Sequence, residues 1–322
     1  MALDTGDTAW VIAATALVMI MTPALGFFYG GLVRRKNLVS TIAQCFAIFA
    51  VVSLVWALWG YTLALGPSYN GFIGSFSNFG LNNVGAAPNP GYAATIPELL
   101  YFAFQLKFAA ITPALIIGAF AERIRFKALL IFIVLWTTFV YVPIAHWNWG
   151  LGGFLKSLGV IDFAGGLVVN TAAGVSAVAA ALVIGLVAGV LCNFVGSWRA
   201  RTTLDDSLDV FACYGAGGIW GTIATGLFAS ALVNPAGPNG LFFGNPGQVG
   251  IQALACVIVA VFAFTGSYVL LRIINIFTPV RVSPAEEDAG LDISGFGEEA
   301  YATETDEPRP MAPTSNPRTD PR

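Results

Sequence analysis

Between Ala164 and Trp198 the chain runs for 35 residues without one Asp, Glu, Lys or Arg. As a helix that stretch would be about 52 Å long at 1.5 Å per residue, well beyond the ~30 Å hydrocarbon core of a bilayer. Further apolar stretches lie at 9–32, 38–65, 99–121, 127–148, 209–232 and 249–277, each of a length that spans. Only 10% of the residues are charged, against ~25% in a soluble domain, so the chain cannot cover its surface with ions. The expected fold is all-α, a polytopic membrane helical bundle of about seven spans. A soluble enzyme, a disordered protein and a nucleic-acid binder are excluded, and a net charge of −3 gives no basic footprint for phosphates.

Basic residues set the orientation, because Lys and Arg accumulate in cytoplasmic loops. Arg34, Arg35 and Lys36 follow the first span, Arg123, Arg125 and Lys127 the third, Arg199 and Arg201 the fifth, and Arg281 the seventh. The alternate loops 66–98 and 233–248 have no basic residue, and 149–161 has only Lys156. Seven crossings with the N-terminus outside and the C-terminus cytoplasmic satisfy every loop. The over-long fifth segment must then cross once, tilted or kinked, with Gly174, Gly185 and Gly189 as candidate hinges. The first apolar run is too long for the core of a cleaved leader, and the residues before it are acidic.

The charge is also segregated. The last 42 residues hold ten acids and four arginines. This divides the chain into a transmembrane domain, 1–280, and an acidic cytoplasmic tail, 281–322, whose Pro/Thr/Glu-rich end beyond about residue 302 reads as disordered. Cys45, Cys192, Cys213 and Cys256 sit in apolar stretches without paired spacing and read as small core residues. With His146 as the single histidine, no metal site and no histidine-driven catalysis is expected. No cofactor is expected either.

Polar and aromatic groups inside spans mark candidate pathways. Phe104 and Phe108, at i and i+4, share a helix face, with Gln105 and Lys107 between them. The plainer reading of the rings is core or lipid-facing packing, and that of Lys107 is snorkelling to the interface. His146, Trp147 and Trp149 fall at the outer end of the fourth span. The tryptophans read as an aromatic belt, or the group as a cation–π station for an entering cation. Asp162 and Asp209 each open a span and can cap a helix. The span glycines, among them Gly26, Gly30, Gly31, Gly165, Gly166, Gly215, Gly217, Gly218 and Gly221, suit close helix packing.

Five stretches carry a resemblance: PALGFFYGGLVRRKN (23–37), FAAITPALIIGAFAERIRF (108–126), YVPIAHWNWG (141–150), DFAGGLVV (162–169) and DVFACYGAGGIWGTIATGLFAS (209–230). In this order they resemble the Amt/Mep/Rh ammonium transporters, and EEDAGLDISGFGEEAY (286–301) looks like that family's cytoplasmic C-terminal region. The resemblance implies a plasma-membrane homotrimer, each subunit with a pore between inverted five-helix repeats followed by an eleventh helix. It implies passage of ammonium or ammonia; separately, the sequence carries no nucleotide loop, nucleophile elbow or metal cluster, so no enzymatic activity is expected. Carried over by position, Trp149 belongs to the outer recruitment site, Phe108 to the phenylalanine gate with Phe104 beside it, and Asp162 organises the path. Gly290, Leu291, Asp292, Gly297 and Glu298 belong to the regulatory tail, which would contact a PII-type signalling protein.

The sequence departs from the family twice. Where the family places paired histidines in its fifth and tenth helices, this chain has Asn170 and Tyr214. Neither is a neutral-pH proton relay, although both hydrogen-bond. In addition, 174–185 looks like the end of the fifth helix and 186–201 like most of the ninth, so helices six, seven and eight are absent. Both flanking helices run from outside to inside, and their fusion preserves the topology the arginines require. The main reading is therefore an ammonium transporter or channel. The alternative is a non-conducting sensor, a regulatory subunit or a degenerate truncated product.

Overall fold

The computed structural model describes residues 2–185, 214–215, 217–233, 235, 237–298 and 300. The readings at Gly189, Cys192, Arg199, Arg201, Asp209, Cys213 and 301–322 lie outside the described residues. The rest is overwhelmingly helical. The first span joins α1 (Thr5–Met19) to α2 (Met21–Leu32), and the second joins α3 (Leu38–Val55) to α4 (Tyr61–Leu65). The third is α5 (Glu98–Phe120), and the fourth runs through α6 (Phe126–Trp136), α7 (Val142–Trp149) and α8 (Phe154–Ser157). Then come α9 (Ala172–Gly185), α10 (Gly217–Phe228), α11 (Gly247–Phe277), α12 (Pro284–Ala289) and α13 (Leu291–Phe296). Among the described residues, five continuous helical stretches are long and apolar enough to cross a membrane: Thr5–Leu32, Arg35–Leu65, Glu98–Phe120, Phe126–Ser157 and Gly247–Phe277. The fifth and sixth expected spans are represented by α9 and α10, whose described parts are shorter.

These sequences become helices because lipid offers the backbone no partners, so each span must satisfy its own N–H and C=O groups. Departures from the α pattern are local. One-turn π segments occur at Trp56–Gly60, Thr137–Tyr141 and Gly166–Thr171. Pro113 sits inside α5 and contributes no N–H. Beside it, the Thr112 hydroxyl donates to the Phe108 carbonyl at 2.6 Å.

The bundle core combines apolar packing with indole staples. α9 lies against α5 and α11, and α10 lies against α11 and the 166–171 turn. Trp136 Nε1 donates to Ser267 Oγ at 2.7 Å, Trp56 Nε1 to the Phe102 carbonyl at 3.3 Å, and Trp59 Nε1 to Thr138 Oγ1 at 2.9 Å. Each bond ties two spans where water cannot compete.

The 66–97 loop folds into two small antiparallel hairpins. β1 (Ser68–Tyr69) pairs with β2 (Ile73–Gly74), and β3 (Pro88–Asn89) with β4 (Ala93–Pro97). The first hairpin corrects the belt reading of Trp147 and fixes His146 beside it. His146 is fully buried, its Nδ1–H donating to the Ala64 carbonyl at 2.9 Å while Nε2 meets Ser68 Oγ at 2.8 Å. Trp147 donates to the Phe72 carbonyl at 2.8 Å and packs on Phe262 with centroids 4.4 Å apart. Both side chains anchor the loop and do not form a lipid-facing girdle.

Candidate functional site

Beneath that loop the structure places an aromatic cavity of about 550 Å³. Phe104, Phe108, Trp149 and Asp162 all line it, together with Tyr101 and Lys156. Phe104 and Phe108 meet edge to face with centroids 5.1 Å apart, and Phe108 meets Trp149 at 6.4 Å and 74°. Tyr92 and Tyr101 stack at 5.6 Å on the cavity wall. Tyr92, in the loop, accepts from the Leu151 amide at 2.8 Å, and burial pushes its phenol up to about 12, so it stays protonated. Such an array of ring faces attracts a small cation through the quadrupole. Lys107 does not line this cavity: its Nζ lies over the Phe49 ring, 5.3 Å from the centroid.

Asp162 organises the cavity in two ways. Its carboxylate accepts from the amides of Leu167 at 3.2 Å and Val168 at 2.9 Å, capping the turn that leads into α9. Its backbone carbonyl accepts from Trp149 Nε1 at 2.8 Å. Gly165 makes the capped turn possible with φ +79, a left-handed conformation suited to glycine. The carboxylate is thus spent on its own helix, and the indole is fixed to the same residue.

A second cavity, of about 740 Å³, adjoins the first across Asp162, Phe163 and Ala164. Asn170, Gly218 and Thr222 line it. Asn170 Nδ2 donates to the Gly165 carbonyl at 3.1 Å. Close approach of the two elements depends on small residues. A β-carbon on Gly218 would lie 2.7 Å from Asn170 Cβ, and one on Gly174 would lie 2.1 Å from the Gly215 amide nitrogen. Tyr214, the residue before Gly215, is packed against the core and does not line this cavity. Its backbone therefore sits level with Gly174, one helical turn beyond Asn170.

At the opposite end, the tail folds back on the membrane domain. Asp292 is fully buried and accepts from the amides of Val39 at 3.0 Å and Ser40 at 2.7 Å at the start of α3. The Leu291 amide donates to Asn37 Oδ1 at 2.6 Å. Gly290 has φ +97, and a β-carbon there would lie 2.7 Å from Lys36 Cβ. Gly297 ends α13 in the left-handed region, and the Glu298 amide donates to the Asp292 carbonyl at 3.2 Å. Ion pairs join Arg125 to Glu286 at 3.1 Å and Arg281 to Glu287 at 2.9 Å. Glu122, at φ +69, completes the dock by accepting from the Arg34 amide at 2.7 Å and Asn37 Nδ2 at 2.8 Å. Sequence reasoning passed over Asn37 and Glu122. Their signal was a polar residue directly after the RRK run and an acid directly before the arginines of the second basic loop.

The family model described as "Ammonium Transporter Family" matches this chain twice, over residues 9–183 and 172–301. The chain belongs to the ammonium transporter family. The two matches overlap at 172–183. An "Ammonium transporter" of Bacillus subtilis is 34% identical, covering 92% of this chain and 98% of its own length. A "Putative ammonium transporter" of Methanothermobacter thermautotrophicus is 35% identical, with 94% and 99% covered. These alignments extend over 400 and 407 positions, more than the 322 residues present here, so the relatives carry a stretch this ammonium transporter family member lacks. The crystal structure of Candida albicans Mep2 superposes with a TM-score of 0.77 at 26% identity, covering 88% of each chain. A protein described as "Sensor Amt Protein" shares the fold, with a TM-score of 0.74 at 20% identity. The chain is a multi-pass membrane protein of transport type and not an enzyme.

Proposed function

We propose that this protein moves ammonium across the plasma membrane, taking it up in the aromatic cavity of Phe104, Phe108 and Trp149. The observation that carries the reading is the Trp149–Asp162 bond, which fixes the recruiting indole against the gate-side ring of Phe108. From there the path continues past the Asp162-capped turn to Asn170 and Tyr214. The non-conducting alternative is not favoured, since relatives 34% and 31% identical to this chain carry the names of transporters. Consistent with the family resemblance, the working unit is a homotrimer. The docked tail faces the cytoplasm; Gly290, Leu291 and Asp292 hold it in place, and the exposed 293–298 surface is offered to a PII-type protein.

The test is methylammonium flux into proteoliposomes holding verified folded protein. The reading requires flux above empty liposomes, reduced at least tenfold by Trp149→Leu. Flux indistinguishable from empty liposomes would refute autonomous transport. A pull-down with a PII-type protein tests the tail, with binding expected for the intact chain and lost on removal of 286–301. Binding that survives this truncation would move the docking site elsewhere.

A further inference from the structure

A cavity of about 160 Å³ lies where the tail meets the membrane domain, between Ser40 and Gln44 of α3, Arg125 and Phe126, and Glu286 and Phe296 of the tail. Gln44 is 2% exposed, yet its Oε1 has no hydrogen-bond partner, while its Nε2 donates to Ser40 Oγ at 3.2 Å. An acceptor buried without a donor is destabilising, and here it lines a space large enough for a ligand and a few waters. The wall's cation is already engaged. Arg125 Nη2 donates to Glu286 at 3.1 Å and its Nε to the Arg281 carbonyl at 3.3 Å. The rings of Phe126 and Phe296 meet edge to face at 5.5 Å. What remains is an amide oxygen, a hydroxyl, a carboxylate and two ring faces. That set suits a compact N–H donor of single positive charge. An anion would be set against the unpartnered Gln44 oxygen and the Glu286 carboxylate.

We infer that this cavity binds ammonium on the tail side of the membrane, with Gln44 Oε1 as the anchoring acceptor. The ligand bridges α3, the 124–126 turn and α13, so occupancy fastens the tail that Asp292 docks. The protein therefore reads the concentration of its own cargo at a place separate from the aromatic cavity. The choice of ammonium rests on the proposed cargo, whereas the site itself does not.

Hydrogen exchange on the full chain in detergent tests this, with NaCl replaced by NH4Cl at constant pH and ionic strength. Ammonium should slow exchange of the Leu291–Phe296 amides severalfold and saturably. Gln44→Leu should abolish the response, and Gln44→Glu, which keeps the acceptor and adds charge, should shift saturation to lower ammonium. Trp149→Leu, which should cut flux, should leave this response unchanged; a parent protein without flux but with retained ammonium-dependent tail protection would overturn the transport reading alone. Equal exchange in the two salts means that water alone fills the cavity and overturns the proposal. So does an unaltered response in Gln44→Leu or, should that variant fail to fold, in Gln44→Glu.

Discussion

Replacing Asp162 separates its two jobs and gives a magnitude the structure can set. In Asp162→Ala the backbone carbonyl that holds Trp149 remains, but the amides of Leu167 and Val168 lose their acceptor. Both residues are fully buried, so neither amide finds water. An orphaned buried donor costs about 1–3 kcal/mol, which puts the loss at about 2–6 kcal/mol for the pair. Asp162→Asn keeps an oxygen in the same place and forfeits chiefly the charge at the helix N-terminus, up to about 2 kcal/mol in a partly buried setting. Against a typical total of about 5–15 kcal/mol, alanine should lower the unfolding temperature in detergent clearly more than asparagine. The cap also sets where the 162 carbonyl lies, so Asp162→Ala should disturb Trp149 and reduce methylammonium flux further than its stability loss explains. Thermal unfolding followed by tryptophan fluorescence, paired with flux at a temperature where each variant is folded, measures both. Alanine and asparagine variants equal to each other and to the parent would refute the capping role.

Gly218→Val should destabilise by at least about 1–3 kcal/mol through overpacking, because its β-carbon would meet Asn170 Cβ at 2.7 Å and the Gly166 carbonyl at 2.8 Å. Gly221→Ala, one turn on and with nothing within 4 Å, should be neutral or stabilising by up to about 1 kcal/mol; parallel thermal melts compare them. Asn170→His combined with Tyr214→His should raise the proton-coupled current on solid-supported membranes, and an unchanged current would remove both positions from the path. Acid should release the tail. The Ser283 amide and hydroxyl, and then Arg125, hold the Glu286 carboxyl below its ordinary value. Its stabilisation is therefore complete above about pH 4.3 and disappears as pH falls through the lower folded-state value. Exchange protection at 285–289 should fall on acidification below that point, and a fall that is unchanged in Glu286→Gln would contradict the assignment.

The spans were legible because charge is excluded from lipid, and long uncharged runs admit no other backbone solution than helices. Phe104 and Phe108 were legible by spacing, since i and i+4 must share a face. Asp162 was half legible: an acid before an apolar run announces a cap, but nothing in a sequence says that its carbonyl will hold an indole 13 positions earlier. The belt reading of Trp147 failed because its partner, Phe72, lies in a loop far back in the chain, as does Ser68, the partner of His146. A pattern window sees amphipathic tryptophans at a span end and cannot see a hairpin folding over them. Lys107 was not legible by spacing: it stands at i+3 from Phe104, which leaves it beside that face, and only the packing of α3 shows that it turns to Phe49 instead.

The two family matches divide the site unevenly, and that division has functional weight. Phe104, Phe108, Trp149, Asp162 and the loop that covers them all belong to the stretch matched over 9–183. The aromatic cavity is therefore assembled without any residue from the far side of the junction. Asn170 belongs to the same stretch, whereas Tyr214, α10 and α11 come from the later match. The second cavity combines Asn170 with Gly218 and Thr222, so its walls come from both sides of the junction. The two cavities can therefore be probed apart. Methylammonium flux in Trp149 variants tests the proposed uptake site, which residues 91–164 line alone, and flux in Asn170 variants tests the cavity that both matched stretches wall.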